Sequence, residues 1–272
     1  MLDKVIDTLS NRVPVPESEY TGEDGLLHCS KCHSKTETII KHPFTGEDRK
    51  VHCKCSCKTE QDLFSEQQKR EETERKRRIC FAETNMATWT FENDDRKNPK
   101  ISDAMKNYAD KFAEFKPDGR GILLYGTVGT GKTYLAACVA NSLIDRDYRV
   151  YMTNFSRLIN KVNGMFDGKQ EYIDSLNRYD LLIIDDLGAE GKTEYRQEIV
   201  FNVIDSRYRS GLPFIITSNL SAEDIKKPQD IGYARIYDRI LEKCFPIELS
   251  GVSRRRESVR NSFSDVKAKL GL

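Results

Sequence analysis

The sequence predicts an α/β fold in which helices cover both faces of a five-stranded parallel sheet. From Gly121 onward, short continuous apolar runs alternate with segments of helical periodicity. Because strands that are buried on both faces read as unbroken apolar runs, this alternation is typical of a parallel sheet. A glycine-rich loop between the first apolar run and the next helical segment supports the same fold. The 272 residues provide room for this domain and a smaller module before it.

The apolar runs and helical segments place each predicted element. The predicted strands are Gly121–Tyr125, Arg149–Thr153, Tyr179–Ile184, Pro213–Thr217 and Phe245–Leu249. The predicted helices run from the glycine loop to Ile144, from Ser156 to Phe166, from Glu194 to Tyr208 and from Gly232 to Cys244. Residues 60–78 are mostly charged helix formers, which predicts an exposed connecting helix. We therefore divide the chain into an N-terminal module (1–59), a helical linker (60–80) and an α/β domain (81–272).

Charge and hydropathy exclude several classes of protein. The 44 Lys and Arg residues nearly balance the 43 Asp and Glu residues, which gives a net charge of +1. This balance argues against a histone-like or tail-type nucleic-acid binder, although it permits a local basic surface. No apolar run approaches the length of a membrane span, and the N-terminus lacks a signal-peptide core. We therefore expect a cytoplasmic protein without a membrane partner.

The glycine loop matches the phosphate-binding pattern G-x-x-x-x-G-K-T. Its glycines allow backbone N–H groups to converge on a phosphate at a helix N-terminus. Lys132 then neutralises β- and γ-phosphate oxygens, and the hydroxyl of Thr133 binds magnesium. A turn that binds nothing is the alternative, but a strand before the loop and a helix after it favour binding. The pattern predicts ATP and Mg²⁺, held by Gly126, Thr127, Val128, Gly129, Thr130, Gly131, Lys132, Thr133 and Tyr134.

Two consecutive carboxylates follow the third apolar run, at Asp185 and Asp186. In an open α/β sheet, the carboxyl end of a buried strand lies beside the phosphate loop. We predict that Asp185 holds magnesium, directly or through water. We predict that Asp186 orients or deprotonates the attacking water, and Glu190 is the alternative base.

These motifs, together with Ile216–Asn219, Arg235–Arg239 and Gly251–Arg255, support a family resemblance. Residues from about 80 to 260 resemble the ATPase core of DnaC/DnaI-type replicative helicase loaders. IstB-type transposition ATPases are similar, and both groups belong to the AAA+ superfamily. The resemblance implies an AAA+ P-loop core whose helical lid is truncated, because only about twenty residues follow the last strand. It also implies an ATPase that assembles as an open ring or spiral on a ring-shaped replicative helicase and loads it onto single-stranded DNA.

The resemblance implies three further site residues by their positions in these motifs. Asn219 corresponds to the sensor-1 residue between the carboxylates and the γ-phosphate, with a turn-forming asparagine as the alternative. Arg239 corresponds to the arginine finger that reaches the ATP of a neighbouring subunit, and Arg235 is the alternative. Arg255 corresponds to the sensor-2 arginine, and Arg254 is the alternative.

Five of the eight cysteines lie close together near the N-terminus, at Cys29, Cys32, Cys53, Cys55 and Cys57. A C-x-x-C pair followed by a second thiol group is typical of zinc, and a reducing compartment favours metal over disulfides. Cys29, Cys32 and Cys53 supply three of the four ligands that tetrahedral zinc needs. In an extended segment the last three thiols share one face, so either Cys55 or Cys57 completes the set. The four histidines, His28, His33, His42 and His52, are possible substitutes. We therefore predict a structural zinc (Zn²⁺) site, which DnaI-type loaders similarly carry in a module that contacts the helicase.

Three functions are compatible with these motifs. The first is a helicase loader, the second an IstB-like ATPase that delivers a transposase to target DNA, and the third a zinc adaptor that binds nucleotide without turnover. The complete set of ATPase residues argues against the adaptor, and the cysteine-rich module followed by a charged helix favours the loader. Residues 161–172 combine cations and aromatic side chains, which suits single-stranded DNA. An amphipathic helix end that packs on the sheet is the alternative for that segment.

Overall fold

The computed structural model describes residues 18–42, 45–81, 85–189, 191, 193–228 and 230–256, together with 259, 263, 267, 269 and 270. These residues form two compact units, one ending at Glu72 and the other beginning at Thr73. Among the described helices, none combines the length and the apolar composition that crossing a membrane requires.

The first unit consists of two small antiparallel hairpins followed by a helix. Strand β1 (Glu19–Thr21) pairs with β2 (Leu27–Cys29), and β3 (Glu37–Lys41) pairs with β4 (Asp48–His52). Helix α1 (Ser56–Phe81) contains the predicted helix of residues 60–78 and extends beyond it at both ends, and its residues up to Glu72 belong to this unit. The second hairpin is exposed along almost its whole length. Among the described residues of this unit, the buried apolar side chains are those of Leu26, Cys29 and Cys55, so these residues provide little hydrophobic core.

The second unit contains a five-stranded parallel sheet, which confirms the predicted fold class. The strand order is β6-β7-β8-β5-β9. The strands are β5 (Gly121–Tyr125), β6 (Val150–Asn154), β7 (Leu181–Leu187), β8 (Phe214–Ser218) and β9 (Cys244–Glu248). Their bounds lie within three residues of the predicted ones.

Helices cover both faces of this sheet. They are α2 (Pro99–Asp110), α3 (Phe112–Phe115), α4 (Lys132–Asp145), α5 (Phe155–Asn163), α6 (Lys169–Ser175), α7 (Glu194–Arg209), α8 (Ala222–Lys226) and α9 (Ile231–Lys243). Successive residues of β5 enter different cores. Ile122 and Leu124 join the core that includes α2 and α4, whereas Leu123 joins the core that includes α5, α7 and α9. This alternation is what a sheet buried on both faces requires.

The strands β7 and β8 go out of register near their carboxyl ends. Beyond the pair Ile184 and Ile216, β7 uses two residues where β8 uses one before pairing resumes. The two residues are Asp185 and Asp186, and they lie opposite Thr217. Asp186 has a φ of 59°, in the left-handed region that aspartate tolerates better than most residues. The irregularity is a β-bulge, a feature that redirects side chains at the end of a strand.

Candidate functional site

The phosphate loop, residues 126–133, connects β5 to α4 as the sequence predicts. Gly126 and Gly129 have φ values of 124° and 83°. A Cβ at Gly126 would lie 2.4 Å from the carbonyl oxygen of Leu249, and a Cβ at Gly129 would lie 2.2 Å from Oγ of Ser253. Both positions therefore require glycine for their backbone conformation and for the close approach of the chain.

A strap, residues 249–254, runs beside the phosphate loop and is hydrogen-bonded to it. The hydroxyl of Thr127 donates to the carbonyl of Gly251 and accepts its N–H, both at 3.2 Å. The N–H of Arg254 donates to the carbonyl of Gly129 at 2.9 Å. The backbone of the loop is thus held from outside by the chain that follows β9, an arrangement that the sequence did not predict.

Lys132 is buried at the centre of the phosphate loop, with 5% of its surface exposed. Its Nζ donates to the carbonyls of Gly126 and Thr127 at 3.0 and 2.8 Å. Burial lowers the pKa of Lys132, and the negative charges of Asp186 and Asp185 counteract this shift. The loop carbonyls hold the ammonium group over the loop, where phosphate oxygens can replace them as acceptors.

Asp185 lies between the hydroxyls of two threonines. Thr133 Oγ1 is 2.9 and 3.1 Å from the two oxygens of Asp185, and Thr217 Oγ1 donates to Oδ1. Burial raises the pKa of Asp185, while these hydrogen bonds lower it. A divalent cation would stabilise this buried carboxylate in its charged form. Hard oxygen ligands are also what Mg²⁺ prefers, so Asp185 and Thr133 fit the predicted ion.

Asp186 and Asn219 are brought together at the ends of β7 and β8. Nδ2 of Asn219 donates to Oδ1 of Asp186 at 3.2 Å. The backbone N–H of Asp186 donates to Oγ1 of Thr217 at 3.0 Å. The structure thus brings Asp186 and Asn219 together, and their roles in hydrolysis stay predictions. The alternative base, Glu190, lies outside the described residues.

The two arginines proposed for sensor 2 have different surroundings. Arg254 pairs with Asp95, with Nη2 and Oδ1 separated by 3.0 Å. Its guanidinium also covers Gly131, where a Cβ would lie 2.6 Å from Nη1. Arg255 is exposed, and its charge lowers the pKa of Lys132. The sensor role of Arg255 stays a prediction.

Arg239 makes contacts within its own chain. Its Nε donates to Oδ1 of Asp205 at 2.8 Å, and its guanidinium lies 4.6 Å from the ring centroid of Phe201. Asp205 also pairs with Arg209 at 2.7 Å. Arg235, one turn earlier on α9, has an exposed side chain. To reach a neighbouring subunit, Arg239 would have to leave Asp205, so its assignment as the finger stays a prediction.

A cluster of four thiols lies in the first unit, formed by Cys29, Cys32, Cys55 and Cys57. Their sulfur atoms all lie within 4.8 Å of one another. Zinc–sulfur bonds of about 2.3 Å in a tetrahedron place the sulfurs roughly 3.8 Å apart, so the cluster fits structural zinc. Contact with the other thiols, first with Cys55, raises the pKa of Cys57 to about 12. A dication would permit all four to be thiolates.

The predicted ligand set is wrong in one member, because Cys53 lies outside this cluster. Its thiol donates to the carbonyl of Lys35 at 3.6 Å. The prediction assumed an extended segment in which alternate thiols share one face. Helix α1 instead begins at Ser56, and the chain there brings Sγ of Cys55 and of Cys57 to within 3.2 Å. Both of these cysteines therefore join the cluster, where the sequence predicted only one.

We expect Cys53→Ser protein to retain one zinc per chain, because this thiol is turned away from the cluster. Cys55→Ser and Cys57→Ser should each lower the zinc content, since each removes one of four ligands. Metal analysis of protein purified without chelator measures this content, with Cys29→Ser as the control for a lost ligand. Equal zinc in all four variants, or none in the wild type, would contradict the assignment.

Thr217 is a site residue that the motifs of the sequence did not indicate. Thr217 and Asn219 lie two positions apart at the end of β8 and contact neighbouring carboxylates, whereas Ser218 donates to the carbonyl of Leu187. The twofold alternation of a strand was the available signal, because it places residues 217 and 219 on the same side.

Comparison with known proteins finds similarity to an ATP-binding family, a helicase loader and an insertion sequence protein. A family model described as IstB-like ATP binding protein matches residues 50–262. The replicative helicase loader DnaI of Bacillus subtilis is 30% identical over 187 residues, which cover 61% of this chain and 58% of that protein. A putative insertion sequence ATP-binding protein of Sinorhizobium fredii is 31% identical over 144 residues, covering 52% and 48%. The chain thus matches less than two thirds of the length of either relative.

A solved structure gives the same result for the fold. A crystal structure of DnaI superimposes with a TM-score of 0.54 and 26% sequence identity, covering 66% of this chain and 99% of that chain. This similarity confirms the five-stranded α/β domain and its assignment to the loader type of fold.

Proposed function

The chain belongs to the family of IstB-like ATP binding proteins, and we propose that it is an AAA+ ATPase that loads a ring-shaped replicative helicase onto single-stranded DNA. The assembled phosphate loop and paired carboxylates carry the ATPase part of this proposal. The 30% identity to a helicase loader supports the choice of helicase as the partner.

Hydrolysis of ATP requires positioned charges more than covalent chemistry. The phosphate loop binds the phosphates, and Lys132 neutralises the β- and γ-oxygens. Asp185 and Thr133 would hold Mg²⁺, which would neutralise negative charge on the phosphates. Asp186, oriented by Asn219, positions the attacking water and accepts its proton. In an open ring or spiral, Arg239 of the next subunit completes the site.

The zinc module is the proposed contact for the helicase. The hairpin of β3 and β4 exposes Ile39, Ile40 and Val51 by 50%, 49% and 37%. Ile40 and Val51 share one face of the hairpin, whereas Ile39 lies on the other. Apolar side chains grouped on one face mark protein interaction sites more often than isolated ones do. A zinc ion at the four thiols would fix the base of this hairpin, because His52 is followed closely by Cys55.

The segment between α5 and α6 is the proposed contact for single-stranded DNA. Phe166 is 98% exposed, whereas Val162 in the preceding helix is buried. The predicted packing of this segment on the sheet therefore applies to Val162, and Phe166 remains available to stack on a base. Lys161 lies 5.6 Å from the ring centroid of Tyr172, and Lys169 lies 5.8 Å from that of Tyr195. These cations suit the phosphate backbone.

Two measurements test the proposal. The immobilised protein should retain the replicative helicase, and helicase together with single-stranded DNA should stimulate its hydrolysis of ATP. We expect Lys132→Ala protein to retain the helicase and to lose both ATP binding and the stimulated hydrolysis. The insertion sequence relative supports a second candidate, delivery of a transposase to target DNA. Retention of a transposase but not of the helicase would favour that candidate.

A further inference from the structure

Thr217 contacts the side chain of Asp185 and the main chain of Asp186, and it has no role in the mechanism above. Its side chain is completely buried at the end of β8. Its hydroxyl donates its single proton to Oδ1 of Asp185 and accepts the backbone N–H of Asp186 at 3.0 Å. One hydroxyl therefore fixes the side chain of the first carboxylate residue and the main chain of the second.

The β-bulge opposite Thr217 explains why both carboxylates can act at one place. In a regular strand, the side chains of two successive residues point to opposite faces of the sheet. The left-handed φ of Asp186 breaks this alternation. The charges of both Asp185 and Asp186 act on the ammonium group of Lys132. The hydroxyl of Thr217 is the acceptor for the N–H at the centre of this irregular backbone.

We propose that Thr217 is the positioning residue for the magnesium carboxylate, a role that rests on the proposed ATPase function. Among the residues that the structure describes, the side chains that donate to Asp185 are those of Thr133 and Thr217. If Thr133 bound Mg²⁺, its oxygen would serve the ion as well as Asp185, whereas the proton of Thr217 would remain committed to Oδ1 of Asp185. Thr217 would therefore hold this carboxylate in place while Asp185 holds the ion.

The next residue provides a matched control. Ser218 is also completely buried, and its hydroxyl donates to the carbonyl of Leu187 at 2.7 Å. It therefore links the same two strands without contacting Asp185 or Asp186. Ser218→Ala removes a buried hydroxyl bond at the same place, so any general loosening of the strand ends appears in this variant as well.

The test compares the affinity for ATP in magnesium with the affinity in EDTA, measured by equilibrium binding. Thr217→Val keeps the shape of the side chain and removes the hydroxyl. We expect the ratio of its affinity for ATP in magnesium to its affinity in EDTA to be about tenfold smaller than in the wild type, since a hydrogen bond to a charged group is lost. Its affinity in EDTA should stay within about twofold of wild type. Thr217→Ser, which restores the hydroxyl, and Ser218→Ala should both keep the magnesium-dependent gain.

An unchanged gain in Thr217→Val would overturn the proposal, as would an equal loss in Ser218→Ala. An equal loss in magnesium and in EDTA would also overturn it, because that pattern indicates a structural role. If thermal unfolding shows that the valine variant is not folded, Thr217→Ala replaces it, and the same result is expected. Failure of the wild type to bind ATP in either condition would instead reject the proposed ATPase function.

Discussion

Asp186→Asn protein is expected to bind ATP like the wild type and to hydrolyse it roughly a hundredfold to ten thousandfold more slowly, the usual contribution of a positioned base. Asparagine keeps an oxygen that can accept the hydrogen bond from Asn219. It also tolerates the left-handed backbone that residue 186 adopts. The bulge should therefore persist while the proton acceptor is lost. Equilibrium binding and phosphate release measure the two effects separately.

Asp185→Asn provides the comparison for this result. It should weaken binding of ATP with magnesium, because it alters an ion ligand, whereas Asp186→Asn should not. Hydrolysis at the wild-type rate by Asp186→Asn would exclude Asp186 as the base and transfer that role to Glu190.

In the presence of helicase or DNA, Arg239→Ala protein is expected to hydrolyse ATP roughly a thousandfold more slowly than the wild type. This factor is the usual contribution of an arginine finger. Its own affinity for ATP should stay within about threefold of wild type, because the residue contacts the nucleotide of a neighbour. Arg235→Ala is the matched control, since it removes an exposed arginine from the same helix. Thermal unfolding should be measured alongside, because Arg239 also pairs with Asp205.

Mixing two inactive variants tests whether the site is shared between subunits. Lys132→Ala protein retains a normal Arg239, and Arg239→Ala protein retains a normal phosphate loop. Mixed assemblies should therefore regain part of the stimulated activity. If mixing restores nothing and Arg235→Ala shows the loss, the finger belongs to the other turn of α9.

The phosphate loop was predictable because its determinants are local. The spacing from Gly126 to Thr133, with an apolar run before it, specifies a strand, a turn and a helix within one continuous stretch. The direction of Asp186 was not predictable in this way. This direction depends on the β-bulge, in which Asp185 and Asp186 of β7 lie opposite the single residue Thr217 of β8.

The zinc ligands and the contact of Arg239 also differ from the predictions because they depend on structure beyond the local sequence pattern. The zinc ligands were assigned as if residues 53–57 were extended, because the strong helix formers begin only at Glu60. The helix begins earlier, at Ser56, and changes which thiols meet. The contact of Arg239 with Asp205 joins two helices and could not be read from either segment of the sequence.

The hydrogen bonds between the strap and the phosphate loop have a thermodynamic consequence. The phosphate loop shares hydrogen bonds with residues 249–254 at Thr127 and Gly129, so nucleotide binding at the loop and the position of the strap can be linked equilibria. If ATP binds more tightly when the strap is in its loop-bound position, a partner that favours this position raises the affinity for ATP. By reciprocity, ATP raises the affinity for that partner by the same factor. The chain after β9 can thereby report the occupancy of the site to a molecule that never touches the nucleotide.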